Sequence, residues 1–141
     1  MDLATARPVT EHIYFESGCG AKTVCTSHVL AAFGIDASTY HYSGQLEQRL
    51  AVLRRNGWAA RSRFSQLRKG TTMGQVRVAI RRISPTDPVG TRYMLRVVAN
   101  GTGHALLLDG QGKTLVDTAP RELDRRRVTD LRAIFPLGAD A

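Results

Sequence analysis

The sequence predicts an α+β fold, with helices gathered in the N-terminal half and an antiparallel sheet built mostly from the C-terminal half. Three observations carry this. Helical apolar spacing recurs as far as Ile83, and β-rich runs separated by Gly, Asn, Asp and Pro follow from Thr91 onward. The strand and helix alternation of a nucleotide-binding sheet does not occur. A chain of 141 residues, 43% hydrophobic and 23% charged, has the length and balance of one folded domain with a single modest core.

In chain order, residues 1–8 read as a loose arm and "VTEHIYF" as a short extended entry segment. "CGAKTVCTSHVLAAF" is dense in apolar and small residues and is closed by Gly34, which predicts a buried helix beginning at Cys19 with a glycine C-cap. "IDASTYHYSG" is a loop. "QLEQRLAVLRRNG" sets Leu46, Leu50 and Leu53 on one face and stops at Asn56-Gly57, a second, amphipathic helix. "WAARSRF" alternates as a short strand does. "TTMGQVRVAIRRIS" opens on a Thr72 and Gln75 capping box, places Val76, Ile80 and Ile83 on one face and ends at Pro85. After the loop "PTDPVG" come the runs "TRYMLRVV", "HALLLD", "KTLVDT" and "RRVTDLRAIF", which are the sheet. The whole of 1–141 is one domain, with no repeat and no low-complexity segment.

The charge is strongly basic, a formal +8, and all but Lys22, Lys69 and Lys113 of the 20 basic residues are arginine. They are spread along the chain instead of forming a tail. The balance suits an anionic partner, whether nucleic acid, an acidic protein or a membrane surface. No nucleic-acid motif accompanies it, so a solvated arginine-rich surface is the favoured reading. No apolar run approaches the roughly 18 residues of a membrane span, and the N-terminus carries no export signal, so a soluble, cytoplasmic protein is expected. Cys19 and Cys25 stand about 240° apart around a helix, which is poor disulfide geometry, so both are expected as thiols in a reducing compartment. No metal-ligand spacing occurs, and neither a metal nor an organic cofactor is expected.

The chemistry-bearing stretch is "GHALLLDGQGKTLVDTAP", residues 103–120, with a histidine and an aspartate at opposite ends of an apolar hairpin. If Gly110 and Gln111 form a two-residue turn with the glycine first, His104 lies directly opposite Asp117, with Cβ atoms about 5 Å apart. A turn at Asp109-Gly110 makes the pair diagonal on the same face, and only an odd slip, such as a bulge, separates them. Cys19 is the third element. A thiol in the first turn of a helix meets unpaired N–H groups and the positive dipole end, both of which favour thiolate, and Gly18 and Gly20 permit close approach of a substrate backbone. A cysteine meeting a histidine oriented by a carboxylate is what nucleophilic acyl transfer requires.

The segments "GCGAKTVCTSHVLAAFG" and "GHALLLDGQGKTLVDT" resemble the papain-like cysteine peptidases, in the broad sense that includes the peptidase domains of bacteriocin-exporting transporters and small phage and bacterial relatives. The resemblance implies a papain-like domain with the nucleophile at the start of a central helix packed on the sheet. It implies Cys19 as nucleophile, His104 as general base and Asp117 as its orienting partner, in the chain order Cys, His, Asp. One departure stands out. Such families usually carry a glutamine shortly before the nucleophile to complete the oxyanion hole, and "VTEHIYFESG" contains none. Ser17, His12 and Thr10 are the substitutes able to donate a hydrogen bond, beside the backbone N–H of Cys19 itself.

The function expected is a thiol-dependent hydrolase cleaving a peptide or isopeptide bond in a protein or peptide substrate. A papain-fold deamidase or acyl transferase would use the same three residues. A catalytically inactive basic protein that binds nucleic acid or an acidic protein is the rival from another class. Other candidates carry less. His28 lies half a turn out of phase with Cys19, His41 sits in an aromatic loop, Trp58 and Cys25 read as core, and "DGQGK" lacks the spacing of a phosphate loop.

Overall fold

The computed structural model describes residues 24–36, 46–68, 70–99, 102–117 and 125–139. Helices α1 (Val24–Ala31) and α2 (Leu46–Arg55) precede strand β1 (Trp58–Ser62) and helix α3 (Met73–Ile83). Strands β2 (Arg92–Ala99), β3 (Thr102–Leu108), β4 (Thr114–Val116) and β5 (Arg127–Pro136) follow. The five strands form one antiparallel sheet in the order β1-β5-β2-β3-β4. The α+β arrangement expected from the sequence is therefore present, and no described helix is long and apolar enough to cross a membrane.

Local signals account for the helix ends. Gly34, at φ 76°, lets α1 finish with Ile35 N–H on Leu30 O at 3.2 Å and Gly34 N–H on Ala31 O at 3.0 Å, a paired C-terminal cap that only a left-handed residue closes cheaply. At the start of α3, Gln75 Oε1 accepts the Thr72 backbone N–H at 2.9 Å, satisfying a donor the helix cannot. Pro85 falls in the 3₁₀ turn Ser84–Thr86 that ends α3.

Helices cover both faces of the sheet. Val29, Leu30, Phe33, Val52 and Leu53 of the α1–α2 layer pack on Trp58, Met94, Ala105, Leu107 and Ile134. Met73, Val76, Ile80 and Ile83 of α3 pack on Tyr93, Leu95, Leu106, Leu108 and Leu131 on the opposite face. Double coverage explains why "HALLL" and "YML" are unbroken apolar runs instead of alternating ones. Trp58, 1% exposed, meets Phe33 edge-on at 4.9 Å between ring centroids, the core anchor expected of it.

α1 is tied at its C-terminal end. Arg92 Nη1 donates to Ala32 O at 3.1 Å and its guanidinium lies 5.5 Å from the Phe33 ring. Arg92 is the first residue of β2, and β2 runs antiparallel to β3, with Tyr93 opposite Leu108 and Val97 opposite His104. The C-terminal end of α1 thus marks the Leu108 end of the sheet, away from His104.

Candidate active site

His104 and Asp117 meet. Nε2 of His104 lies 2.8 Å from Oδ1 of Asp117, and both side chains are buried, 6% and 3% exposed. They come together by a route that the hairpin's sequence does not spell out. The loop holds three residues, 110–112, with Asp109 N–H on Lys113 O at 2.9 Å, Gly112 N–H on Asp109 O at 3.0 Å and Gly112 at φ 79°. Taken alone, that odd-length loop would turn Asp117 to the wrong face. A second irregularity between Leu107 and Leu108 shifts the register again, so that Leu107 pairs with Val116. The continued register sets Asp117 opposite Leu106, and His104 is its diagonal neighbour, within reach for side chains of this length. The two single-residue slips add up to two residues, which returns Asp117 to the face of His104 and makes the pair diagonal.

The hairpin tip is clamped to α3. Arg77 Nη1 donates to Gly112 O at 2.7 Å and Arg81 Nη1 to Gln111 O at 3.4 Å. Asp109 Oδ1 accepts the N–H groups of Gln111 and Lys113 at 2.8 and 2.9 Å. The backbone amides a phosphate loop would offer are committed to the turn itself.

A third residue completes the described cluster, and it is one that the sequence reading assigned to the surface. Arg126, immediately before β5, donates from Nη2 to Asp117 Oδ2 at 2.8 Å, with its side chain 6% exposed. A buried carboxylate is costly unless countercharged and hydrogen-bonded, and Arg126 supplies both. The sequence did hold a signal: "RRRVTD" enters a strand whose alternate residues Val128 and Asp130 are buried, and Arg126 is in phase with them. Its backbone is fixed too, since Arg126 O accepts the N–H of Met73 at 3.0 Å and Val128 N–H reaches Thr71 O at 2.9 Å.

The chemical consequence lies in the imidazole. A carboxylate is an acceptor, so Asp117 fixes the proton of neutral His104 on Nε2 and leaves the lone pair on Nδ1. Nδ1 is the nitrogen able to accept a proton from a nucleophile.

Strand alternation places this cluster. Ala105 and Leu107 belong to the core beneath α1 and α2, Leu106 and Leu108 to the core beneath α3. His104 therefore lies on the α3 face, as does Val97, directly opposite it on β2. α1 packs on the other face. β4 is the edge strand beyond β3, and its described pairing with β3 covers Leu107 and Leu108.

Cys19 and the candidate oxyanion donors Ser17, His12 and Thr10 lie outside the described residues, as does His41. His28 is in α1, half-buried, and burial lowers its pKa. Cys25 stands in the same helix. Among the described residues, no group of three or more His, Cys, Asp or Glu side chains converges as metal ligands. The chain matches no family model, no curated protein sequence and no solved structure.

Proposed function

We propose that the protein is a thiol acyl-transfer enzyme of papain-like type, a hydrolase of a peptide or isopeptide bond, with Cys19 as nucleophile, His104 as base and Asp117 as orienting acid. The observation that carries the reading is the buried 2.8 Å contact between His104 Nε2 and Asp117 Oδ1, a carboxylate placed as the orienting partner of a general base would be. Arg126 joins the set as a positioning residue, holding Asp117 from its far side.

In the reaction, Nδ1 of His104 takes the proton of the Cys19 thiol and the thiolate attacks the substrate carbonyl carbon. The tetrahedral oxyanion is met by the N–H of Cys19 and by a donor from Ser17, His12 or Thr10. The imidazolium returns its proton to the leaving nitrogen as the C–N bond breaks. Water, deprotonated by Nδ1, then cleaves the thioester and regenerates the thiol. A side-chain amide in place of the scissile bond gives deamidation by the same steps, with ammonia as the leaving group.

The geometry puts one demand on this reading. α1 packs on the face opposite His104, so on this reading the chain before Val24 has to carry Cys19 from one face of the sheet to the other. Val24 is the fifth residue after Cys19, a separation of up to about 17 Å when extended. That exceeds the roughly 10 Å between layers packed face to face.

The test is the rate of Cys19 alkylation by iodoacetamide from about pH 4 to 9, in a Cys25→Ser background and with His104→Ala as control. A reactive plateau well below the ordinary thiol value of about 8.5, lost in His104→Ala, is the expected outcome. A rate that rises only near that value, the same with and without His104, would overturn the proposal. The inactive basic binding protein would then be the reading to pursue.

A further inference from the structure

A second feature lies on the outer side of α3. Between residues 66–68, 70 and 71 on one side and the helix on the other runs a cavity of about 610 Å³, with Leu67, Val78 and Ala79 as its apolar surface and Arg68 and Arg82 among its lining. Gly74, Val78 and Arg82 follow one another at every fourth position, so the groove runs along one stripe of the helix for about 12 Å. Among the described residues, nothing pairs with the guanidinium of Arg68 or Arg82.

Gly74 is the second observation. It is the second residue of α3, where a glycine gives up helix propensity relative to other residues, so a neighbour that needs the room would be the ordinary reason for it. Here, among the described residues and apart from its neighbours and the helix's own backbone, no atom comes within 4 Å of where a Cβ would stand. Among the described residues nothing fills the space of the missing side chain, and Gly74 lines the groove.

We propose that this groove binds a short acidic segment of a partner protein in extended conformation. A length of about 12 Å takes about four extended residues. Alternating side chains would then set carboxylates against Arg68 and Arg82 and apolar groups against Leu67, Val78 and Ala79. The protein's formal charge of +8 steers an acidic partner toward it. A single-stranded nucleic acid fits less well, because such sites stack bases on aromatic rings and none of the lining residues is aromatic. The site stands apart from the thiol chemistry and holds whether or not Cys19 is activated.

Fluorescence anisotropy on the full chain tests it, with a fluorescein-labelled pentapeptide of alternating glutamate and leucine as probe. A lysine and leucine peptide and a labelled oligothymidylate are the comparisons, at about 50 mM salt where screening is modest. The acidic peptide is expected to bind best. R68E/R82E and, separately, G74L are each expected to weaken it at least about tenfold. G74L leaves every charge in place and improves helix propensity, so its thermal midpoint does not fall and a loss of binding reports the filled groove. Binding unchanged in G74L would overturn the site, since general charge attraction would then explain the peptide. Tighter binding of oligothymidylate, lost in the same variants, would overturn the peptide as occupant. Repeating the titration in Cys19→Ala, with no change expected, keeps failure here distinct from failure of the thiol enzyme.

Discussion

Asp117 and Asp87 stand at the two ends of one sheet face, each buried, each countercharged by arginine and each bonded to a ring on a strand. Asp117 holds His104 and Arg126. Asp87 holds Tyr93, whose hydroxyl donates to Oδ2 at 2.7 Å, together with Arg63 and, at 3.2 Å, Arg61. Helix α3 links them, since Met73 at its start bonds to Arg126 O while the 3₁₀ turn after its end leads into Asp87. The difference is in what the ring has left. Tyr93 carries one proton on one oxygen, and Asp87 uses it, so that cluster can only hold the end of α3 against β2. Imidazole has two nitrogens, and fixing the proton on one makes the other a base. The same electrostatic design is a clasp with tyrosine in it and a candidate catalytic centre with histidine.

The largest effect expected from perturbing either cluster belongs to Asp117→Ala. It removes the buried carboxylate that both His104 and Arg126 use, at a cost of about 3–5 kcal/mol in urea unfolding. Asp87→Ala should cost less, about 1–3 kcal/mol, because the Arg61 and Arg63 side chains, 35% and 12% exposed, both have more access to water than Arg126 at 6%, while Tyr93 loses its acceptor. Equal losses at the two sites would contradict the account of Arg126 as a fully buried partner. The double variant D117A/R126M separates packing from chemistry. It is expected to recover most of the lost stability, as apolar replacement of a buried pair does, while the Cys19 alkylation plateau stays lost for want of an oriented imidazole. Recovery of that plateau in the double variant would remove Asp117 from the mechanism.

The sequence makes the His104–Asp117 pairing readable but hides how the pairing is reached. Composition and spacing suffice for three helices, for a five-strand sheet, and for Gly34 and Gln75 as end signals, because each is a local effect of backbone geometry. The hairpin register depends on two slips that add up to two residues. Gly112, the left-handed residue of the loop, is visible in "DGQGK", whereas nothing in "LLLD" marks the irregularity between Leu107 and Leu108. Arg126 escaped for a related reason: in a run of three arginines, only the phase of the following strand says which one turns inward. Gly112→Ala sharpens the point. Its Cβ would come within 2.7 Å of Arg77 O, at a φ that alanine resists, so a loss above about 1 kcal/mol is expected, with weakened His104 to Asp117 coupling. A hairpin that tolerated alanine there would mean that α3 does not fix the register.

The smallest effect lies at the clasp and depends on pH. Burial above all, then the hydrogen bond to Asp87 and its charge, push the Tyr93 hydroxyl well above its ordinary value of 10. The folded state therefore holds the phenol proton more tightly than the unfolded chain does. That contribution is present in full below about pH 10, where both states keep the proton, and is lost as pH climbs from there toward the raised folded value. Tyr93→Phe removes both the hydrogen bond and the titration. At pH 8 the variant should fall short of the parent by about 1 kcal/mol, and by pH 11 that deficit should shrink, because only the parent pays to keep its proton. A deficit as large at pH 11 as at pH 8 would show that Asp87 does not hold the tyrosine proton, and the likeness between the two clusters would then end at their arginines.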